Sequence, residues 1–189
     1  NGVGAAHETP DSAKRAASTT AAETNDDAVT TESGAGVSTT RITMPKSVNL
    51  DFQPGLAAAT LLTAGVRWVH WTATAIDPAG HRAQRGSALQ TYSEDSYTFS
   101  LGLGRRFSES FAGSATVSWE RPQGGPSGNL APTDGFVSLS LGGAYTMDNM
   151  EISGGVRYVK IGDATTNTAG AVFSGSSALA LGVKVGFSF

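Results

Sequence analysis

The last eleven residues, Leu179-Ala180-Leu181-Gly182-Val183-Lys184-Val185-Gly186-Phe187-Ser188-Phe189, place a large apolar side chain at every odd position and Ala, Gly, Lys or Ser at every even one. Successive side chains of a strand point to opposite faces, so the stretch is a strand with one apolar face and one small or polar face. The same pattern recurs upstream. Residues 97–107 set Tyr97, Phe99, Leu101 and Leu103 against Thr98, Ser100, Gly102 and Gly104. Residues 111–121 set Ala115, Val117 and Trp119 against Ser114, Thr116, Ser118 and Glu120, and residues 136–146 set Val137, Leu139 and Leu141 against Ser138, Ser140 and Gly142. Residues 150–161 repeat it with Ile152, Val156 and Tyr158 opposite Ser153, Gly155 and Arg157. Two earlier segments, 41–52 and 62–76, alternate less cleanly. In the first, Pro45 lacks the ladder donor and Lys46 falls on the apolar side, which predicts a bulge or a snorkelling lysine.

Seven strands of this kind have two uses. In a soluble sandwich the small-residue faces would have to fill a core, and Ser, Thr and Gly are too small for that. In a membrane barrel only every second residue meets lipid, and a tilted strand of about 9 to 11 residues spans the bilayer. The residues therefore predict an all-β, transmembrane, antiparallel up-and-down β-barrel with its apolar rows outward. Aromatic residues near the strand ends, among them Tyr97, Trp119, Tyr145 and Tyr158, suit the interfacial girdles of such a wall.

Composition agrees. The 189 residues carry only 15% charged side chains and 24 glycines. A net charge of -3 from 13 scattered basic and 16 acidic residues offers no basic surface for nucleic acid. The lack of cysteine excludes disulfides, thiolate metal sites and cysteine nucleophiles. His7 and His81 have no ligand spacing around them, no phosphate-binding glycine motif precedes a helix, and a lone outward His70 is a poor general base. Neither an enzyme nor a cofactor is expected.

Residues 1–37, rich in Ala, Thr, Ser, Glu and Asp, show no sustained period and predict a disordered or long extracellular loop segment, with the barrel strands in 38–189. The connections alternate in length, short at 53–60, 108–110 and 147–149 and long at 77–96, 122–135 and 162–178. Bacterial barrels have short periplasmic turns and long external loops, so the last strand descends to a periplasmic Phe189. By that count the first strand also descends, giving an odd number of strands and suggesting the C-terminal half of a larger barrel in the outer membrane of a Gram-negative-type bacterium.

Met44-Pro45-Lys46-Ser47-Val48-Asn49-Leu50 resembles the Pro-x-Ser-Val-Asn-Leu stretch of the long-chain fatty acid transporter (FadL/TodX) family of outer-membrane proteins. Val66-Arg67-Trp68-Val69-His70-Trp71 is similar to that family's Trp-containing strand, and Gly182 to Phe189 to its closing strand. The resemblance covers about residues 40–189. It implies seven strands of a 14-stranded barrel and passive uptake of hydrophobic compounds such as fatty acids, with lateral exit through the wall. The family's plug and first half have no counterpart here. The other reading of the residues is a small structural or adhesin-like barrel whose external loops carry the function.

On the inward side, Arg67, Arg157 and Lys184 could hold a carboxylate headgroup or take part in structural ion pairs with Asp51, Glu120 or Glu151. Val69 and Trp71 could line an apolar path or pack against a plug. Val185, Phe187 and Phe189 resemble the signal read by the barrel-assembly machinery. The expected partners are therefore outer-membrane lipid, a hydrophobic small molecule such as a fatty acid, and that machinery.

Overall fold

The computed structural model describes residues 16–22, 26–33, 36–128, 130–167 and 169–188, with side chains from Thr39 onward. Eight antiparallel strands form one continuous sheet: β1 (Ala16–Ala22), β2 (Ser47–Gln53), β3 (Thr60–Val69), β4 (Ser96–Arg106), β5 (Phe111–Glu120), β6 (Phe136–Met147), β7 (Met150–Ile161) and β8 (Ser177–Phe187). Each pairs with the next in chain order, the up-and-down arrangement that the alternation predicted. Gly55–Ala57 adds a short irregular pairing to β3. Among the described residues, β1 and β8 each have a single neighbour, so the sheet is an open wall.

The alternation becomes rows across the sheet. Ala64, Leu101, Val117, Leu139, Tyr158 and Leu179 lie side by side on one face. One position along, Gly65, Ser100, Ser118 and Ser138 share the other. Leu139 is 46% exposed whereas Ser138 is 2% exposed, although they are chain neighbours. A water-soluble protein would bury the leucine; among the described residues no second sheet or helix covers that face. Phe99 stacks on Trp119 at 5.6 Å and Phe107 on Phe111 at 5.6 Å within the same outward surface.

Short connections lie along one edge of the sheet. Between β4 and β5 the Ser108 hydroxyl accepts the Phe111 N–H at 3.0 Å, and between β6 and β7 the turn places Asp148 at φ 39°. Long connections lie along the other edge. The first contains a hairpin, Asp26–Ser33 with Gly36–Thr43; the second contains a single-turn 3-10 helix, Trp71–Ala73, and helix α1, Ala79–Arg85, which rests against that hairpin. Helix α1 ends at Gly86 in the left-handed conformation, φ 73°, and Arg82 forks onto Asp77, holding its carboxyl below the usual range.

Three expectations are corrected. Part of residues 1–37 is strand: β1 pairs with β2 from Ala16↔Gln53 to Ala22↔Ser47, so among the described residues the wall has eight strands where seven were expected. The strand expected over 41–52 begins at Ser47, because the backbone leaves the ladder at Met44–Lys46, where Pro45 lacks a donor; Ile42 lies in the long-edge hairpin. The strand expected over 62–76 ends at Val69, where the chain turns into the 3-10 helix.

Candidate functional site

The small-residue face is concave and bare. Leu61, Gly104, Ser114, Gly142, Gly155 and Gly182 form a row across six strands, from β3 to β8. Four glycines and a serine leave little but backbone at this level, and a hollow of about 1090 Å³ lies against them. A Cβ added at Gly104 or Gly182 would meet nothing within 4 Å, so the hollow extends directly over those two backbones. Arg106 and Lys184 share the next row toward the short-turn edge, with Ala112, Ala144 and Ser153 between them.

The five proposed lining residues do not converge on one cluster; they run from one edge of this face to the other. Lys184 stands opposite Ser153 beside the hollow. Arg157 lies near mid-wall, donates to the Ser138 hydroxyl at 3.1 Å and sits over the Phe136 ring at 5.6 Å. Arg67 donates to the Asn49 amide oxygen at 3.0 Å, and Glu120 accepts the Thr98 hydroxyl at 3.0 Å. No ion pair with Asp51, Glu120 or Glu151 forms among the described residues, because the registers seat neutral partners beside each cation.

Val69, paired between Ser47 and Ser96, is one of the few buried apolar side chains at 6% exposure. Trp71 has left the wall and packs on Tyr92 at 4.8 Å between ring centroids. Burial pushes the Tyr92 hydroxyl up. Trp71 and Tyr92 line a smaller hollow of about 260 Å³ on the long-loop edge, which Glu120 and Asp134 also line. Of the expected assembly residues, Val185 and Phe187 are exposed on the outward face opposite Ile152 and Met150; Phe189 lies outside the described residues.

Sequence reasoning missed the polar knot at the long-loop edge. Asp95 accepts from the Trp68 indole at 3.0 Å, from His70 Nδ1 at 2.9 Å, and from the Thr72 backbone and hydroxyl at 3.1 and 2.8 Å. Desolvation works to raise the Asp95 carboxyl, but the hydrogen bonds of His70, Thr72 and Trp68 outweigh it and hold it at about 2. His70 is therefore an anchor that ties the end of β3 to the start of β4. Nothing in the residues around Glu94-Asp95 announces this, since the partners lie more than twenty positions away. The bare row was legible in principle, from the inward glycines at 104, 142, 155 and 182 once the strands are set in register.

The three long loops beyond the knot are also tied together. Gln123 Nε2 donates to the Asp95 carbonyl at 3.3 Å, the Ser127 N–H donates to the Thr165 carbonyl at 2.8 Å, and the Asn167 N–H donates to the Ser127 carbonyl at 2.9 Å. Gln90, 3% exposed, lays its amide over Gly128, in the space a Cβ there would take.

No family model and no curated protein sequence matches the chain. Among solved structures, the crystal structure of a Pseudomonas aeruginosa FadL homologue superposes with a TM-score of 0.57 at 16% sequence identity, over 79% of this chain and 35% of that one. The chain thus spans about a third of the length of that protein. The likeness shows the fold: an antiparallel stretch of FadL-type β-barrel wall, with no helix among the described residues long and apolar enough to cross a membrane.

Proposed function

We propose that this wall stands in the outer membrane of a Gram-negative-type bacterium and forms part of a passive conduit for hydrophobic compounds such as long-chain fatty acids. The observation that carries the reading is the contrast between the faces. The outward rows are large and apolar, which suits lipid, while the inward row at the hollow is glycine and serine from β4 to β8, with Leu61 at its β3 end. An apolar chain moving over such a surface meets neither a bulky side chain that must swing aside nor a pocket deep enough to trap it. Transport needs weak, distributed contact, whereas an enzyme site needs convergent polar groups. The likeness to a FadL homologue supports the same reading.

In this reading Lys184 and Arg106 are placed to steer an anionic headgroup at the short-turn end of the track, and Arg157 to do so near its middle. Val69 and Trp71 border the way in beneath the loops. Val185 and Phe187, with Phe189, serve as the signal for the barrel-assembly machinery.

The test is uptake of a fluorescent long-chain fatty acid by cells that lack their own uptake route and carry the complete gene. Gly104→Phe combined with Gly182→Phe adds bulk where the backbone faces open space, so the wall should fold unchanged while uptake falls several-fold. Unchanged uptake with a normally assembled barrel would remove the track from the account.

A further inference from the structure

The outward face has a second feature besides its apolar rows. Lys46, Arg121 and Lys160 stand on it along the long-loop edge. Lys46 lies opposite His70, whose N–H donates to the Lys46 carbonyl at 2.8 Å, one position beyond the Ser47↔Val69 pair. Alternation therefore gives Lys46 the outward side shared by Val48 and Leu50. Arg121 continues β5 past Trp119 and Glu120, its N–H donating to the Tyr97 carbonyl at 3.1 Å, which gives it the face of Trp119 and Tyr97. Lys160 pairs with Val137 and Ser177 in the row of Phe99 and Trp119.

All three side chains are exposed, and among the described residues none has a hydrogen-bond or ion-pair partner. Three carboxylates near this edge are engaged elsewhere. Asp95 is taken by the knot, Asp134 accepts from the Gln123 and Gly124 backbones, and Asp163 accepts the Gly175 N–H at 2.9 Å. The three cations sit on β5, on β7 and just before β2. With strands about 4.8 Å apart, the band extends about 24 Å along the edge; Lys160 is level with Phe99 and Trp119, Arg121 with Tyr97 and Trp68, and Lys46 lies one outward position beyond them. Among the described residues the opposite edge carries no such band: the one outward cation there, Arg105, sits over the Phe107 ring at 6.0 Å, with Glu109 and Asp148 in the adjoining turns.

We infer that Lys46, Arg121 and Lys160 form a lipid-phosphate rim, which holds phosphorylated headgroups of the leaflet on the long-loop side of the wall. The chemistry follows from position. Aromatic rings mark the headgroup level, so a flexible cation level with them or just beyond reaches phosphate oxygens while its stem stays on apolar surface. Single cations three and two strands apart, about 14 and 10 Å, are too far apart to share one phosphate and fit separate ones. The inference rests on the outward face meeting lipid, as proposed above, and adds a preference for which lipid.

The experiment is native mass spectrometry of the chain refolded in a zwitterionic detergent and titrated with a phosphatidic acid, with strand content checked by circular dichroism. The wild type should retain several phosphatidic acid molecules. Lys46→Gln/Arg121→Gln/Lys160→Gln should lower the apparent affinity about tenfold, while Arg105→Gln, on the outward face at the opposite edge, leaves it unchanged. Equal retention by the two variants, or displacement of the lipid by inorganic phosphate at similar concentration, overturns the rim. If the triple variant does not refold, raised salt on the wild type takes its place: retention should fall, and retention that ignores salt overturns the proposal. A wild type that shows no strand signal with lipid or detergent strikes instead at the membrane wall itself, and the rim falls with it.

Discussion

Gly135 shows how closely single residues constrain this wall. It immediately precedes β6 in the left-handed region, φ 70°, and a Cβ there would lie 2.6 Å from the Glu120 carbonyl and 2.9 Å from the Pro122 nitrogen. Both neighbours are backbone and cannot swing aside. Gly135→Ala should destabilise the refolded protein by about 1 to 3 kcal/mol, measured by urea unfolding from vesicles. Asp95 works through charge instead. Its carboxyl is held at about 2, below the ordinary 3.8, so its contribution is complete above about pH 4 and is lost as the pH falls toward 2. The Trp68 indole donates to it, so Trp68 emission should shift across that window in the wild type, and Asp95→Asn should flatten the shift. In Asp95→Ala, residues 70–95 should become protease-sensitive at neutral pH while the strands stay protected. The sequence concealed this residue because a hub is defined by its partners, and all of Asp95's are distant in the chain.

At the scale of the strand, the sequence was most legible where both faces contrast strongly. Strands β4 to β8 lie within two residues of the spans read from alternation, because each carries at least three large apolar residues against Ser, Gly or Thr. Strand β1 escaped notice for the opposite reason: Ala-Ala-Ser-Thr-Thr-Ala-Ala has no large side chain to set a period, and its pairing with β2 is a backbone matter. The false extensions of β2 and β3 came from alternation that outlasts the ladder. Ile42 and Met44 keep the period, but Pro45 ends the hydrogen bonds, and after Val69 the knot at His70 and Thr72 turns the chain away. The clearest test belongs to β6. Leu139→Arg sits mid-row between Val117 and Tyr158, facing outward, and should cost about 2 to 4 kcal/mol in a bilayer; Ser114→Thr, on the inward face, should cost far less.

For the whole molecule, the two faces divide the work. The outward rows give the sheet no reason to fold in water and every reason to fold in lipid, while the inward row of glycines leaves the hollow that the transport proposal uses. Neither the hollow nor the rim of cations can be read from any single segment, since each is assembled by register across six neighbouring strands, from β3 to β8 for the hollow and from β2 to β7 for the rim. The overall architecture was legible because one rule, alternation, is repeated; the site was not, because it depends on which residues the strands bring level. The chain has no cysteine of its own, so single cysteines can be placed at every position from Val137 to Gly142, spin-labelled, and examined in vesicles by electron paramagnetic resonance. The predicted result is a strict two-residue period, with labels at 137, 139 and 141 relaxed by oxygen dissolved in the lipid and those at 138, 140 and 142 relaxed by a water-soluble nickel complex. Equal response of both sets to the aqueous reagent would contradict the membrane wall.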